Sequence, residues 1–358
     1  MKASMGSAQA IIQCGMPEFA ASLITWQRRH GRHGLPWQGG HDPYRVWLAE
    51  VMLQQTQVAA VIPYYQRFLA RFPDLEALAA ASQDEVLRLW SGLGYYARGR
   101  NLHAAARVVA ARGGFPRTAE GLAALPGIGR STAAAIAVFA FGRRAAILDG
   151  NVKRVLARAF GFDGDLSQAR YQNEMWALAE SLLPERHIES YSQGLMDLGA
   201  TLCASPNPSC ESCPVNVGCV ACTTGTQTEY PVRSRRLERG TRENTLLLLQ
   251  WRAQVWLERR PERGVWAGLW SVPEFDTASS FKQASADWPG RGAVLPSLVH
   301  VLTHFDWTLH PVRWALPGRT GAARVAQIVA AWPAGRWFSR ADALELGLPA
   351  PVRKLLLG

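Results

Sequence analysis

No stretch of this 358-residue chain is apolar for long enough to cross a bilayer. Its longest runs, such as Ala133 to Phe141, fall well short of the roughly 20 residues a membrane helix needs. The N-terminus has Lys2 but no sustained apolar core before a small-residue cleavage site, so no secretion signal is expected and the protein is expected in the cytoplasm. Cysteine is scarce outside one place: of six, Cys203, Cys210, Cys213, Cys219 and Cys222 fall within twenty residues. A disulfide framework would be spread through a small secreted domain, so that class is excluded and the thiols read as metal binding in a reducing compartment. Acid is short as well, 28 Asp plus Glu against 39 Lys plus Arg, leaving +11. That balance favours a polyanionic partner, although the preponderance of arginine over lysine would also suit an arginine-rich proteome. With 48% hydrophobic and 19% charged residues the chain is not disordered, and it is long enough for one large domain or two ordinary ones.

Two halves follow one another without internal repeat. From Pro17 to about Phe160 apolar residues recur at helical spacing, as in Glu85-Val86-Leu87-Arg88-Leu89-Trp90, between stops such as Phe72-Pro73 and Gly92-Leu93-Gly94. Helices are expected to continue over Tyr171 to Leu183 and Tyr191 to Leu202, and no convincing alternation marks a strand before the cysteines. The first half is therefore expected to be all-α. From Thr223 to Arg242 periodicity fails while Arg233, Arg235, Arg236, Arg239 and Arg242 gather, which reads as a basic linker. Beyond it Asn244 to Gln250 and Gln254 to Glu258 are β-like and Val299 to His310 alternates loosely, so a smaller α+β domain is expected. The division is 17–222, 223–242 and 243–358.

Four motifs carry chemistry. In Leu125-Pro126-Gly127-Ile128-Gly129-Arg130-Ser131-Thr132 a helix ends and a Gly-x-Gly turn opens another, a helix–hairpin–helix. Gly127 and Gly129 would let the backbone approach a DNA phosphate, and the new helix start would offer N–H donors to it; an ordinary turn between helices is the competing reading. In Leu148-Asp149-Gly150-Asn151, Asp149 is set to cap the helix that follows, which alone would explain it. Glu50 is the only acid in the apolar run from Tyr44 to Leu53. Burial would raise its pKa and suit an acid that donates a proton near neutrality; a structural carboxylate paired with arginine is the alternative. The Gln54-Gln55-Thr56-Gln57 tail favours the first, since amides there could fill the gap left by an extruded base. Finally, Cys203-x6-Cys210-x2-Cys213-x5-Cys219 matches a cubane cluster loop, while Cys210, Cys213, Cys219 and Cys222 would equally make two zinc knuckles.

These motifs, together with Leu35-Pro36-Trp37 and Gly92-Leu93-Gly94-Tyr95-Tyr96-Ala97-Arg98, resemble in order and separation the helix–hairpin–helix DNA glycosylase superfamily, and within it the adenine DNA glycosylase (MutY) family. The resemblance runs from about Pro17 to Cys219 and resumes more weakly afterwards. It implies a multidomain chain: an all-α helix–hairpin–helix glycosylase domain with an iron–sulfur cluster loop, followed by an α+β Nudix-like domain. It implies a monofunctional glycosylase of base excision repair, with Glu50 protonating adenine N7 and then handling the attacking water, and with Asp149 stabilising the oxocarbenium-like sugar. Gln54, Gln55 and Tyr95 would meet the duplex near the mispair, Trp37 would line the adenine pocket, and Gly127, Gly129, Ser131 and Asn151 would complete the DNA contacts. Cys203, Cys210, Cys213 and Cys219 would hold a [4Fe-4S] cluster, leaving Cys222 and Cys14 spare. Where strand-cutting relatives carry a nucleophilic lysine this chain has Ser131, so hydrolysis by water is expected.

The later domain resembles the family's 8-oxoguanine-recognition module. No Glu-rich Nudix box follows Gly268, so binding rather than hydrolysis is expected. Thr303 and His304 align with the lesion-reading loop, where the family usually has Phe-Ser-His and this chain has Leu302-Thr303-His304. The expected partner is double-stranded DNA holding adenine opposite 8-oxoguanine or guanine, met by a monomer without a membrane. Two rivals are a bifunctional glycosylase/AP lyase for oxidised pyrimidines, opposed by Ser131, and a catalytically silent DNA-binding module, opposed by Glu50 and Asp149. Cutting the chain at about Gly240 is expected to leave a folded first domain.

Overall fold

The computed structural model describes residues 5–234 and 238–358; Lys2, Arg235, Arg236 and the side chain of Cys14 lie outside the described residues. Among the described residues the first part is helical, as expected: α1 (Met5–His30), α2 (Pro43–Leu53), α3 (Val58–Arg71), α4 (Leu75–Ala80), α5 (Gln83–Trp90), α6 (Ala97–Ala111), α7 (Ala119–Ala123), α8 (Arg130–Phe141), α9 (Gly150–Phe160), α10 (Ala169–Ser181), α11 (Ile188–Ala200) and α12 (Val220–Thr224). Side-chain oxygens start several of them by taking an otherwise orphaned N–H: Asp42 for α2, Ser82 for α5, Thr118 for α7 and Asp149 for α9. No described helix is long and apolar enough to cross a membrane.

The second part holds β1 (Gly240–Trp251), β2 (Gln254–Arg259), β3 (Trp270–Ser271), β4 (Glu274–Phe275), α13 (Ala278–Ala284), β5 (Arg291–Val294), β6 (Leu298–Val301), β7 (Phe305–Ala315), α14 (Ala322–Val329), β8 (Gly335–Ser339), α15 (Arg340–Leu344) and α16 (Ala350–Leu357). The basic segment 223–242 thus has structure at both ends: α12 closes at Thr224 and β1 opens at Gly240. One mixed sheet has the path β3-β2-β1-β7-β5, with β1 and β7 parallel and the other pairs antiparallel.

The chain forms two compact units, Met1–Gln66 with Arg107–Arg236, and Arg67–Ala106 with Leu237–Gly358. In the first, α1, α9, α10 and α11 share an apolar core of Leu23, Val152, Val155, Leu156, Met175, Tyr191, Leu195 and Leu198. Glycines let α11 come close. A Cβ on Gly199 would stand 2.6 Å from the Asn151 Cβ, and one on Gly194 would stand 3.0 Å from Leu23. Asn151, next but one to Asp149, is thereby held where the two helices meet.

In the second unit the central strand is covered on both faces, which its unbroken Leu246-Leu247-Leu248-Leu249 run encodes. Leu246 and Leu248 join Val255, Leu257, Trp307 and Leu309 on one face; Leu247 and Leu249 join Trp256, Phe281, Val312, Val325 and Ile328 on the other. Leu87 and Tyr96 pack into the first of these cores, which is why Arg67–Ala106 belongs with the sheet. Polar contacts add to it: Arg88 pairs with Glu345 at 2.8 Å, Ser91 and Tyr96 donate to the Leu348 carbonyl, and Arg100 donates to the Ala267 carbonyl.

Candidate active site

The first unit contains a cleft of ≈ 1250 Å³ lined, among others, by Trp37, Glu50, Gln54, Gln55, Ser131, Asp149 and Asn151. Seven residues chosen from separate motifs are therefore brought to one place. Glu50 lies on α2, whose Val46, Trp47, Leu48, Ala49, Val51 and Met52 are buried. Removal from water pushes the Glu50 carboxyl up to about 8, and the neighbouring negative charge of Asp149 pushes the same way. Among the described residues no arginine or lysine forms an ion pair with it, so the structural-carboxylate alternative finds no partner here.

Asp149 caps α9 as expected, accepting the Val152 N–H at 2.7 Å. Burial raises its pKa too, against the pull of the Val152 and Asn151 N–H groups and of the Arg154 and Lys153 charges. Both carboxyls therefore shift upward, and at Asp149 the cap and nearby cations oppose the rise. Ser131 Oγ accepts the Leu148 N–H at 3.1 Å, tying the first turn of α8 to the residue before Asp149. Gln54 Nε2 donates to Thr132 Oγ1 at 3.1 Å, tying the end of α2 to the same turn. Trp37 meets Tyr65 edge to face, with ring centres 5.4 Å apart.

The hairpin glycines lie beside this wall. Gly127 has φ +72, open only to glycine at little cost, and Gly129 starts α8 with no side-chain cap; a Cβ on Gly129 would meet nothing within 4 Å. The start of α8 is thus an open backbone donor surface. Helix α2 stops at Leu53, and Gln55, exposed, takes φ 55. A non-glycine residue held left-handed is costly and marks a position worth testing for function.

Tyr95, Thr303 and His304 belong to the second unit. Tyr95 also has a positive φ, 47, and is 47% exposed, with the Arg98 guanidinium 5.5 Å from its ring centre. Its hydroxyl lies 2.9 Å from Thr303 Oγ1. Thr303 and His304 form the exposed turn between β6 and β7, and the His304 carbonyl accepts the Gly240 N–H. Leu302 packs against the sheet core and its carbonyl accepts from Arg239.

Four cysteines sit at one cavity with Val155, Leu198 and Val215: Cys203, Cys210, Cys213 and Cys219. Each sulfur has an N–H donor. Arg158 Nη1 reaches Cys203 at 3.4 Å, Gln227 Nε2 reaches Cys210 at 3.7 Å, and the backbone N–H groups of Val215 and Cys222 serve Cys213 and Cys219. Among the described residues no group of three or more potential ligands converges as a single metal ion requires. Cys222, expected to be spare, lines the same cavity.

Sequence reasoning missed the arginines that join the two places. Asn151, Arg154 and Arg158 lie at i, i+3 and i+7, one stripe of α9, and that spacing was the available signal. Arg154 donates to Asn151 Oδ1 at 2.9 Å, to the Gly199 carbonyl and to the Cys203 carbonyl at 2.8 Å. Arg158, only 2% exposed, donates to the carbonyls of Gln227, Cys203, Ala204 and Ser205. Helix α9 thus carries Asp149 at its start and the folded cysteine loop along its side.

Residues 48–181 match the HhH-GPD superfamily of base excision DNA repair proteins, and residues 244–358 match the NUDIX domain. The adenine DNA glycosylase of Buchnera aphidicola subsp. Schizaphis graminum is 32% identical over 348 residues, covering 94% of this chain and 97% of its own. The Homo sapiens adenine DNA glycosylase is 34% identical over 405 residues, covering 94% of this chain and 73% of its own. Among solved structures, a thermostable thymine-DNA glycosylase is similar with a TM-score of 0.53 and 29% identity, over 59% of this chain and 98% of its own. An endonuclease III–DNA complex, 22% identical with a TM-score of 0.50, shares the fold over 59% of this chain and 98% of its own.

Proposed function

The chain belongs to the adenine DNA glycosylase family, and we propose that it hydrolyses the N-glycosidic bond of adenine lying opposite 8-oxoguanine or guanine in double-stranded DNA. The observation that carries this reading is Glu50, held near a pKa of 8 beside Asp149 in a cleft large enough for an extruded nucleotide. At neutral pH Glu50 is mostly protonated and gives its proton to adenine N7, so the base leaves neutral. The resulting carboxylate accepts a proton from the incoming water. Asp149, whose carboxylate form its N–H donors and Lys153 and Arg154 favour against burial, sets a negative charge against the sugar cation that develops.

Water is the nucleophile because Ser131 offers no amine; its hydroxyl instead holds the Leu148 N–H and so Asp149. Trp37, Gln54 and Asn151 form the walls around the flipped base and its sugar. Gly127 and Gly129 bring the start of α8 to a phosphate, and Gln55 and Tyr95, each left-handed and exposed, enter the duplex near the mispair. Thr303 and His304 read the oxidised guanine. We further propose one monomer acting on one duplex, in the cytoplasm with the DNA, and the divisions 17–222, 223–242 and 243–358 as glycosylase, linker and lesion reader, with Arg67–Ala106 packing with the sheet.

For the thiols we favour a [4Fe-4S] cluster over zinc. A zinc ion draws its sulfurs to one point about 2.3 Å away, whereas in a cubane each sulfur binds a different iron. Four sulfurs around a cavity, each with an N–H donor, suit the second. When bound, the cluster would cross-link the loop that Arg154 and Arg158 attach to α9. The test of the catalytic reading is Glu50→Gln: mispaired duplex should still bind while adenine release falls by about 10²–10⁴ or more. Release within tenfold of wild type would refute the assignment.

A further inference from the structure

The basic segment after the cysteine loop is tied down where it passes the active-site cleft. Tyr230 packs against the core that α1, α9, α10 and α11 share. The Val232 carbonyl accepts the Leu166 N–H at 3.0 Å. Two residues on, Asp165 takes both the N–H of Ser234, at 3.2 Å, and its hydroxyl. Asp165 is buried, and the same carboxylate also accepts the Ser167 N–H and hydroxyl and the Gln168 amide. Ser234 first, and then Ser167, hold its carboxyl well below the usual range, so it remains a charged acceptor at any working pH. Arg233 stands between the last two ties, and it lines the cleft that holds Glu50 and Asp149. Among the described residues no carboxylate pairs with Arg233. Its neighbour in charge is another cation: Lys153, on α9 one turn past Asp149, has its pKa lowered by burial and then by the Arg233 charge, against the pull of Asp149. Two like charges kept near one another at a cleft wall attract an anion.

We propose that Arg233 is a DNA-binding residue of the active-site cleft, taking a phosphodiester next to the target adenine, and that Asp165 is the residue that positions it. This rests on the reading of the cleft as the site of an extruded nucleotide. Extrusion turns the sugar and its flanking phosphates toward the cleft, so a cation on the wall meets a charge that the flipped strand brings there. The planar guanidinium can grip two phosphate oxygens at once. An arginine on an untied linker would be spread over many positions, and ordering it would weaken binding. The Asp165 clasp removes much of that cost before DNA arrives.

The test measures binding of the full-length protein, across a salt series, to a duplex holding 8-oxoguanine opposite an adenine whose fluorinated sugar resists cleavage. Wild type, R233Q, R233K, D165A and D165A/R233Q are compared. The slope of log Kd against log salt should be shallower by about 0.9 in R233Q, the loss of one phosphate contact, and nearly restored in R233K. D165A should lose most of the same slope, and the double variant no more than R233Q. A merely structural Asp165 would lower Tm without touching the slope. Replacing the phosphate on one side of the adenine by an uncharged methylphosphonate should erase the difference between wild type and R233Q. Should D165A fail to fold, S234A takes its place; it removes only the hydroxyl bond and should lose part of the slope. A wild-type slope in R233Q, in D165A or in its replacement would overturn the proposal. So would a difference that survives neutralising the phosphate on either side. Wild type that binds the duplex yet releases no adenine from the ordinary substrate would overturn the glycosylase reading instead, which separates the two failures.

Discussion

The hydroxyls of Tyr95 and Thr303 lie 2.9 Å apart although 208 positions separate them in the chain. One belongs to the Gly-Leu-Gly-Tyr turn that would enter the duplex, the other to the turn that would read the opposite base. Both sit in the same compact unit, so under the proposed reading insertion beside the lesion and recognition of it would be mechanically joined. Tyr95→Phe and Thr303→Val should each lower the preference for 8-oxoguanine over guanine opposite adenine, by about 0.5–1.5 kcal/mol for one exposed hydrogen bond. The double variant should lose little more than either alone, since both remove one interaction. Fully additive losses in single-turnover excision would separate the two residues.

Glu50 sets a pH dependence with a defined sign. The acid form is the working one, so single-turnover excision should hold steady below pH 8 and fall as pH rises through about 8. On the acid side the rate should fall as Asp149 takes a proton, at a pH above the ordinary 3.8, because burial raises that group. A profile still rising beyond pH 9 would contradict the assignment of Glu50 as proton donor.

The same shift makes Glu50 costly to the fold. In the unfolded chain it ionises near 4.5, in the folded chain near 8, so stability drains away as pH climbs between the two. Glu50→Gln should therefore raise Tm at neutral pH, with the gain shrinking as pH approaches 4.5. A Tm gain that did not change with pH would point to packing instead.

Arg154 joins the cap helix to the cysteine loop. Arg154→Gln leaves the Gly199 and Cys203 carbonyls and Asn151 without their donor, at a cost of about 1–3 kcal/mol. Excision rate and iron content should fall together. Arg158→Met removes four carbonyl contacts at a buried position and should cost more. Unchanged iron content in Arg154→Gln with normal excision would show the link to be idle.

Cutting the chain before Gly240 would leave Leu87 and Tyr96 without the sheet core they pack into, and would remove Glu345, Leu348 and Ala267 from Arg88, Ser91, Tyr96 and Arg100. The truncated protein should melt lower than the intact one and bind a hydrophobic dye such as ANS. An unchanged Tm without dye binding would mean that Arg67–Ala106 stands without the sheet.

What could be read in advance was whatever a short segment encodes by itself. The apolar helix around Glu50, the Gly-x-Gly hairpin, the Asp149 cap, the cysteine spacing and the change from helical to alternating pattern after Gly240 are all local, and each is present in the structure. What could not be read depends on which distant groups meet. Ser131 holds Leu148, Cys222 reaches the thiol cavity, and Arg67–Ala106 packs with the sheet because of close helix approaches and a core shared across the chain. The upward shift of Asp149 belongs to the same class, since the cap was visible in sequence while the burial that outweighs it was not.

The central claim is tested most directly by incubating the full-length protein with duplexes that differ only in the base opposite one adenine, then resolving the strands with and without alkali. The account predicts adenine release opposite 8-oxoguanine, weaker release opposite guanine and none opposite thymine, with the adenine strand intact until alkali is added. Strand scission at the rate of base loss, or excision of adenine from a correct pair, would contradict it.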